Sequence, residues 1–406
     1  MPGLAIKGAE PVRQRPFPAW PVFTEAEAQA AAAVIESGDW GHVSDCPGSK
    51  VEQFREAFSA HYGVDYAFPV TNGSVALEVA LRNAGIGPGD EVITPPTTWI
   101  ATNLAPLMVG ADPVFVDVSP DNYCLDPDRI EDAITTKTRA IIPVHIGGYL
   151  CDMPRINRVA ARHDLIVIED CAQAHGSKIQ GKLAGTLGQF GCFSFERSKL
   201  MTAGEGGMVI TNDRHLGEIV YGLLGEGGRQ RDAVFAKGRQ DNGWNYRITE
   251  VQAALLLGQL GRLSSQQKQR ATNADYLKDR LSQLQGVTPL PQSPEQNYYS
   301  YIFKYDAGAF NAVPKAAFMK ALEAEGIPLF SSPSHQPPAY RSPGLRFPGK
   351  DYRNVECPVA ERCFNDEAVG LPATWTLLGA KEDMDDIVSA ITRLWENRDE
   401  LETVEP

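Results

Sequence analysis

From about residue 66 to 212, apolar runs of strand length alternate with amphipathic stretches. AFPVTN (67–72), EVITPP (91–96), PVFVDV (113–118), RAIIPVHI (139–146), LIVIEDCA (165–172), FGCFSFE (190–196) and GMVITN (207–212) are the strand candidates. Between the earlier ones, GSVALEVALRNAG (73–85), TWIATNLAPLMVG (98–110) and MPRINRVAARH (153–163) repeat their apolar positions at helical spacing. Near-continuous apolar strands separated by helices predict an α/β fold, with a mostly parallel sheet covered on both faces. Ahead of this region, Pro11, Pro16, Pro18 and Pro21 predict an irregular arm over 1–24. Thr24, Glu25 and Glu27 then predict a capped helix to about Ser37. After about 245 the pattern changes. ITEVQAALLLGQLGRL (248–263) and the polar QQKQRATNADYLKDRLSQL (266–284) read as long helices. A strand-like YYSYIFKYD (298–306), a helix over 316–326, a Pro/Ser-rich loop over 330–344 and a closing helix over 382–401 follow. The expected division is a large domain over 25–263 and a smaller α+β domain over 264–406.

Charge and composition narrow the classes. The 406 residues carry 38 Lys+Arg against 51 Asp+Glu, a net −13, which argues against a general nucleic-acid binder. The 43% hydrophobic content excludes a mainly disordered chain. No stretch approaches the roughly 18 apolar residues of a membrane span, and the N-terminus lacks an apolar signal core, so a cytoplasmic protein is expected. Seven cysteines without a CxxC pair read as reduced thiols, and the scattered histidines give no metal-site spacing.

Four features fall at predicted strand ends, where open α/β sheets bind ligands. Asn72-Gly73-Ser74-Val75 joins a strand to a helix; it is either a capped helix start or a phosphate cradle. Glu169 and Asp170 end the very apolar LIVI run, where acids are costly unless something cationic meets them; a helix cap, a metal or a protonated pyridine nitrogen would serve. Ser194-Phe195-Glu196-Arg197-Ser198-Lys199 precedes a glycine-rich turn. Its lysine is either a solvated charge or, framed between two strands, an amine able to form a Schiff base. Gly243-Trp244-Asn245-Tyr246-Arg247 opens the long helix and alone means little.

Lys199 lies 29 residues after Asp170, so two successive strands can bring both to one crevice. A phosphate cradle, an acid, a lysine and an aromatic at Trp99 together form a pyridoxal-phosphate constellation. At these same positions the chain resembles the DegT/DnrJ-type sugar aminotransferases, which are fold-type I pyridoxal-phosphate enzymes. TNGSVAL, GDEVITPP with TTWIAT, IEDCAQAHG, FSFERSK with TAGEGG, and GWNYRITEVQAAL carry the resemblance, which runs from about residue 20 to about 395. It implies that Lys199 forms the Schiff base and shuttles the proton, and that Asp170 pairs with the pyridinium nitrogen. Gln173 would bond the phenolic oxygen and Trp99 would stack on the ring. Gly73, Ser74, Val75 and Ser194 would hold the phosphate, and Asn245 would reach it from the partner of a homodimer. His335 would touch substrate, whereas His145 reads as structural.

FPAWPVF, SKLMTAGEGG and LLGAKEDMDDIVSAI are most similar to the keto-cyclitol (scyllo-inosose) aminotransferases, typically glutamine-using, and to the aminohydroxybenzoate synthases. One departure stands out: those relatives carry a histidine-containing segment before LLG, where this chain has LPATWTLLG (371–379). The expected activity is amino transfer from glutamine or glutamate to a keto-sugar or keto-cyclitol. The alternatives are a dehydratase/aromatase on the same cofactor and a non-catalytic regulatory protein on the same fold.

Overall fold

Each of the seven apolar runs becomes a strand of four or five residues. They are β1 Tyr66–Val70, β2 Glu91–Thr94, β3 Asp112–Phe115, β4 Thr138–Ile141, β5 Ile166–Asp170, β6 Phe190–Ser194 and β7 Gly207–Thr211. The computed structural model describes residues 3–41, 48–223, 244–293, 295–330, 336–346, 349–352 and 354–405, the side chains of 221–223 excepted. The seven strands form one sheet in the order β1-β7-β6-β5-β4-β2-β3. β7 pairs antiparallel with both β1 and β6, while the other pairings are parallel. The reason is local. The connection from β6 to β7 contains no helix, so the chain turns straight back instead of crossing over.

Helices α1 Glu25–Ser37, α2 Lys50–Tyr62, α3 Gly73–Asn83, α4 Ala101–Met108, α5 Met153–Arg162 and α6 Arg214–Leu223 accompany this sheet. One apolar cluster joins Val79, Ala80 and Val92 to Ile168 and Val209, and another joins Ile93 and Ile141 to Ile156 and Val167. These are alternate residues of the same strands, so both faces of the sheet are covered, as expected of a parallel arrangement.

The two long helices expected over 248–284 are one. α7 runs from Glu250 to Leu281 without a break, started by a capping box of Thr249 and Gln252. The change from apolar to polar sequence near 264 marks a change of neighbour. Ala253, Leu256 and Leu263 pack into the core beside the large sheet, whereas Ala274, Leu277 and Leu281 pack into a second core. That second core is built on the antiparallel sheet β8 Val287–Pro289, β9 Tyr301–Tyr305 and β10 Ala368–Leu371, with helices α8 Lys315–Ala324 and α9 Lys381–Glu396.

The N-terminal arm is irregular apart from a short turn at Ala5–Lys7, and it is held firmly. Leu4 is fully buried in the second core. Glu325 accepts from Ala5 N (2.8 Å) and Val12 N (3.0 Å), and Arg13 pairs with Asp383 (2.8 Å) and Asp386 (2.7 Å). No helix among the described residues is long and apolar enough to cross a membrane.

Candidate active site

The connections at the carboxyl ends of β1, β5 and β6 surround a cavity of about 710 Å³. Its first rim is the start of α3. Asn72 caps that helix, its Oδ1 accepting from Val75 N at 2.9 Å. The Val75 N–H is thus used within the turn, and Val75 does not line the cavity. Gly73 and Ser74 do line it, and their N–H groups have no partner among the described residues. Glycine at 73 is required by packing: a Cβ there would sit 2.7 Å from the Ser194 Cβ. Ser194 stands opposite, with its Oγ accepting from Glu196 N at 3.3 Å.

The two acids ending β5 face opposite ways, as successive strand residues must. Glu169 points away from the cavity into a cage of donors. It accepts from Leu187 N (2.6 Å), Gly188 N (2.6 Å), Gly185 N (2.9 Å) and the His145 Nε2–H (3.0 Å). His145 Nδ1 in turn accepts from Cys151 N at 3.1 Å, so this histidine is structural and its tautomer is set. His145, Glu169 and Cys171 cluster closely enough to suggest a metal site, but the imidazole and the carboxylate are already occupied by these bonds. Asp170 lines the cavity. Its oxygens accept from Thr102 Oγ1 (2.8 Å) and Ala172 N (3.1 Å), and Thr98 braces Thr102 at 2.9 Å. Burial pushes the Asp170 carboxyl above its ordinary range, more than these bonds and the charge of Lys199 pull it down. It therefore has room for a cationic partner. Gln173 also lines the cavity. Its Oε1 accepts from Gly147 N at 2.6 Å, which orients the amide so that its NH₂ end is the free one.

Lys199 projects from the helix-free connection between β6 and β7. Its Nζ lies 4.7 Å from the centre of the Tyr299 ring and makes no hydrogen bond or ion pair to the described residues. Ser198 Oγ meets both the Glu196 carboxylate (2.5 Å) and Tyr299 OH (3.0 Å), which fixes the loop beside the lysine. Trp99 lines the cavity and is 52% exposed. Among the described lining residues Lys199 is the lone cation, facing Asp170, Glu196 and Glu205.

Several lining residues were not singled out from the sequence: Thr102, Tyr299, Phe330, Thr374 and Trp375. Thr374 and Trp375 belong to the LPATWTLLG segment, whose unusual sequence was the available signal. Asn245 is exposed and does not line the cavity of its own chain, although the adjacent Tyr246 O accepts from Thr71 N at 2.7 Å beside the cradle. His335 lies outside the described residues.

The model of the DegT/DnrJ/EryC1/StrS aminotransferase family matches residues 22–392. The L-glutamine:2-deoxy-scyllo-inosose aminotransferase of Streptomyces fradiae is 37% identical over 425 residues, covering 98% of this chain and 99% of that one. The crystal structure of 3-amino-5-hydroxybenzoic acid (AHBA) synthase matches with a TM-score of 0.82 at 30% identity, over 95% of this chain and 100% of that one. The aminotransferase from Psychrobacter cryohalolentis gives 0.81 at 31% identity, over the same 95% and 100%.

Proposed function

The chain belongs to the DegT/DnrJ/EryC1/StrS aminotransferase family of pyridoxal-phosphate enzymes, and from that premise we propose that it aminates a keto-cyclitol, with keto-sugars as the wider acceptor class. The donor is L-glutamine, with L-glutamate as the alternative. What carries the reading is the meeting, in one cavity, of a lysine amine, a buried carboxylate and a helix start with two unpaired N–H groups. Each suits a different part of the cofactor. The Gly73 and Ser74 N–H groups, in the turn closed by Val75, would hold the phosphate together with the Ser194 hydroxyl. Asp170 would meet the protonated ring nitrogen, whose charge would lower the carboxyl again. The Gln173 NH₂ would donate to the phenolic oxygen, Trp99 would stack on the ring, and Lys199 would hold the cofactor covalently. Asn245 of the partner subunit would complete the phosphate site in a homodimer. His335 is kept as a substrate contact on the sequence reading alone.

Bound pyridoxal phosphate supplies the electron sink that lets an amino-bearing carbon lose its proton. Lys199 Nζ, once the donor's amino group has displaced it, would take that proton from the donor Cα in the first half-reaction. In the second it delivers a proton to the former carbonyl carbon of the acceptor. Asp170 keeps the ring nitrogen protonated throughout. We further propose that the large domain over 25–263 carries the cofactor side of the site. The smaller domain over 264–406 would supply Tyr299, Phe330, Thr374 and Trp375, with the division running through α7. The six buried free thiols among the described residues suit a cytoplasmic setting.

Dehydration and aromatisation of an aminated ring is the second reading, favoured by the likeness to AHBA synthase. A panel of keto-cyclitols and keto-sugars, assayed with glutamine and glutamate by mass spectrometry, separates the two. An aminated cyclitol supports the main reading, an aromatic product supports the second, and amination of nucleotide-linked sugars alone overturns the cyclitol assignment. Borohydride reduction of the loaded enzyme should fix the cofactor on the Lys199 peptide; a label on another lysine sinks that role.

A further inference from the structure

Arg270, on α7, is fully buried, and no carboxylate pairs with it among the described residues. Its Nε and Nη2 both donate to the Thr374 carbonyl (3.1 and 2.9 Å). Nη1 donates to Asn297 Oδ1 (3.3 Å) and Nη2 to Gln266 Oε1 (3.4 Å), and the guanidinium lies 5.6 Å from the Trp20 ring centre. The buried Arg13, by contrast, meets two carboxylates. Burial pushes the Arg270 guanidinium down to about 9, so it is still charged at neutral pH. An unpaired buried charge is costly, and an apolar side chain of similar volume would serve stability as well.

Its partners lead to the cavity. Thr374 lines the cavity, and its Oγ1 donates to Tyr299 O (3.4 Å), the residue whose ring centre lies 4.7 Å from Lys199 Nζ. Trp375, next in sequence, also lines the cavity and packs edge-on to Phe330, with ring centres 6.4 Å apart at 82°. Asn297 Nδ2 donates to His175 O (2.7 Å), and Trp20 Nε1 donates to Arg197 O (2.9 Å), two residues before Lys199. One guanidinium thus ties α7 to the wall that faces the lysine.

We propose that Arg270 is a positioning residue for the acceptor: its two hydrogen bonds to the Thr374 carbonyl hold Trp375 as the platform on which the acceptor ring lies. This rests on the keto-cyclitol reading above. A flat aromatic wall suits the C–H face of a cyclic polyol, while glutamine, extended and acyclic, depends on it less.

The test compares Arg270→Lys, Trp375→Leu and the double variant of the holoenzyme. Lysine keeps the charge and loses the planar fork. Each single variant should raise the acceptor KM about tenfold and leave the glutamine KM within about twofold, and the double variant should also lie near tenfold because both act through one contact. Multiplying effects, equal losses on both substrates, or a lowered melting temperature with an unchanged acceptor-to-donor ratio would each overturn the proposal. Hydrogen exchange of residues 373–379 is a readout independent of substrate. It should quicken in Arg270→Lys while β5 stays protected, and unchanged exchange refutes the clamp. If the wild type aminates no keto-cyclitol, the substrate reading fails and the exchange result still decides the clamp. If Arg270→Lys does not fold, Trp375→Leu alone decides: an acceptor KM that rises no more than the glutamine KM overturns the proposal.

Discussion

Glu169 and Asp170 are chemically alike and adjacent, yet the strand sends one into a cage of N–H donors and the other into the cavity. Asp170→Asn should fold normally and lose about 3–4 kcal/mol of transition-state stabilisation, roughly a few hundredfold to a thousandfold in kcat, because an amide cannot hold a pyridinium proton. Glu169→Gln should instead cost about 2–3 kcal/mol of stability, since one amide oxygen cannot serve four donors, with a smaller fall in kcat per intact site. Denaturant melts alongside kcat decide; similar mild effects of both changes would mean that Asp170 does not face the ring. His175 gives a pH signature. It is fully buried beside Phe193 and Phe195, and burial, then the charge of Lys199, lowers its pKa from 6.5 to about 3. The folded state keeps this imidazole neutral, while the unfolded chain binds a proton below 6.5. Its contribution is therefore present above 6.5 and is lost as pH falls toward 3. Between about pH 7.5 and about pH 5.5 the wild type should lose about 1.4 kcal/mol more than His175→Phe, measured by urea unfolding. Parallel losses would place the imidazole in contact with solvent.

At the scale of elements, the proposed cofactor side of the site would depend on α3 beginning hard against β6. Gly207, opening β7, also touches the Asn72 carbonyl so closely that a side chain there would clash, so three elements converge on the cradle. Gly73→Ala should force α3 away from Ser194 and carry its two free N–H groups out of line. We expect pyridoxal-phosphate affinity to fall about tenfold, roughly 1.4 kcal/mol, with circular dichroism unchanged. Unaltered affinity by titration of the apoprotein would remove the α3 start from the phosphate site. The turn-back between β6 and β7 matters as much. A helical crossover there would have placed Lys199 on a face of the sheet instead of at the strand ends.

For the whole molecule, several large apolar side chains remain exposed: Trp40 at 58%, Trp244 at 69% and Met108 at 62%. Trp244 adjoins Asn245, which is exposed and does not line the cavity of its own chain. A two-fold interface covering this region would bury the aromatics and deliver Asn245 to the neighbouring site. Asn245→Ala should then weaken cofactor binding by about 1–2 kcal/mol. Mixing inactive Lys199→Ala with Asn245→Ala under subunit exchange should restore part of the activity, because one site of the heterodimer carries both defects and the other neither. No recovery despite proven exchange, or a fully active monomer in sedimentation, would refute the shared site.

The strands and the helix that begins at Thr24 were legible from the chain because a near-continuous apolar run and a helix cap are decided by neighbours a few residues away. So was the meeting of Asp170 and Lys199 in one crevice, because successive strands of one sheet end side by side. The continuity of α7 was not, since the same polar shift accompanies a helix that ends and one that passes from one core to another. Nor, from the residues alone, was the division of labour between Glu169 and Asp170, which only the resemblance implied, or the wall of Tyr299, Phe330 and Trp375, or the carbonyl that Arg270 holds 104 residues along the chain. Contacts of that range depend on how two separate cores pack around one helix. Local sequence carries no term for that packing, so only the tertiary structure decided what faces the lysine.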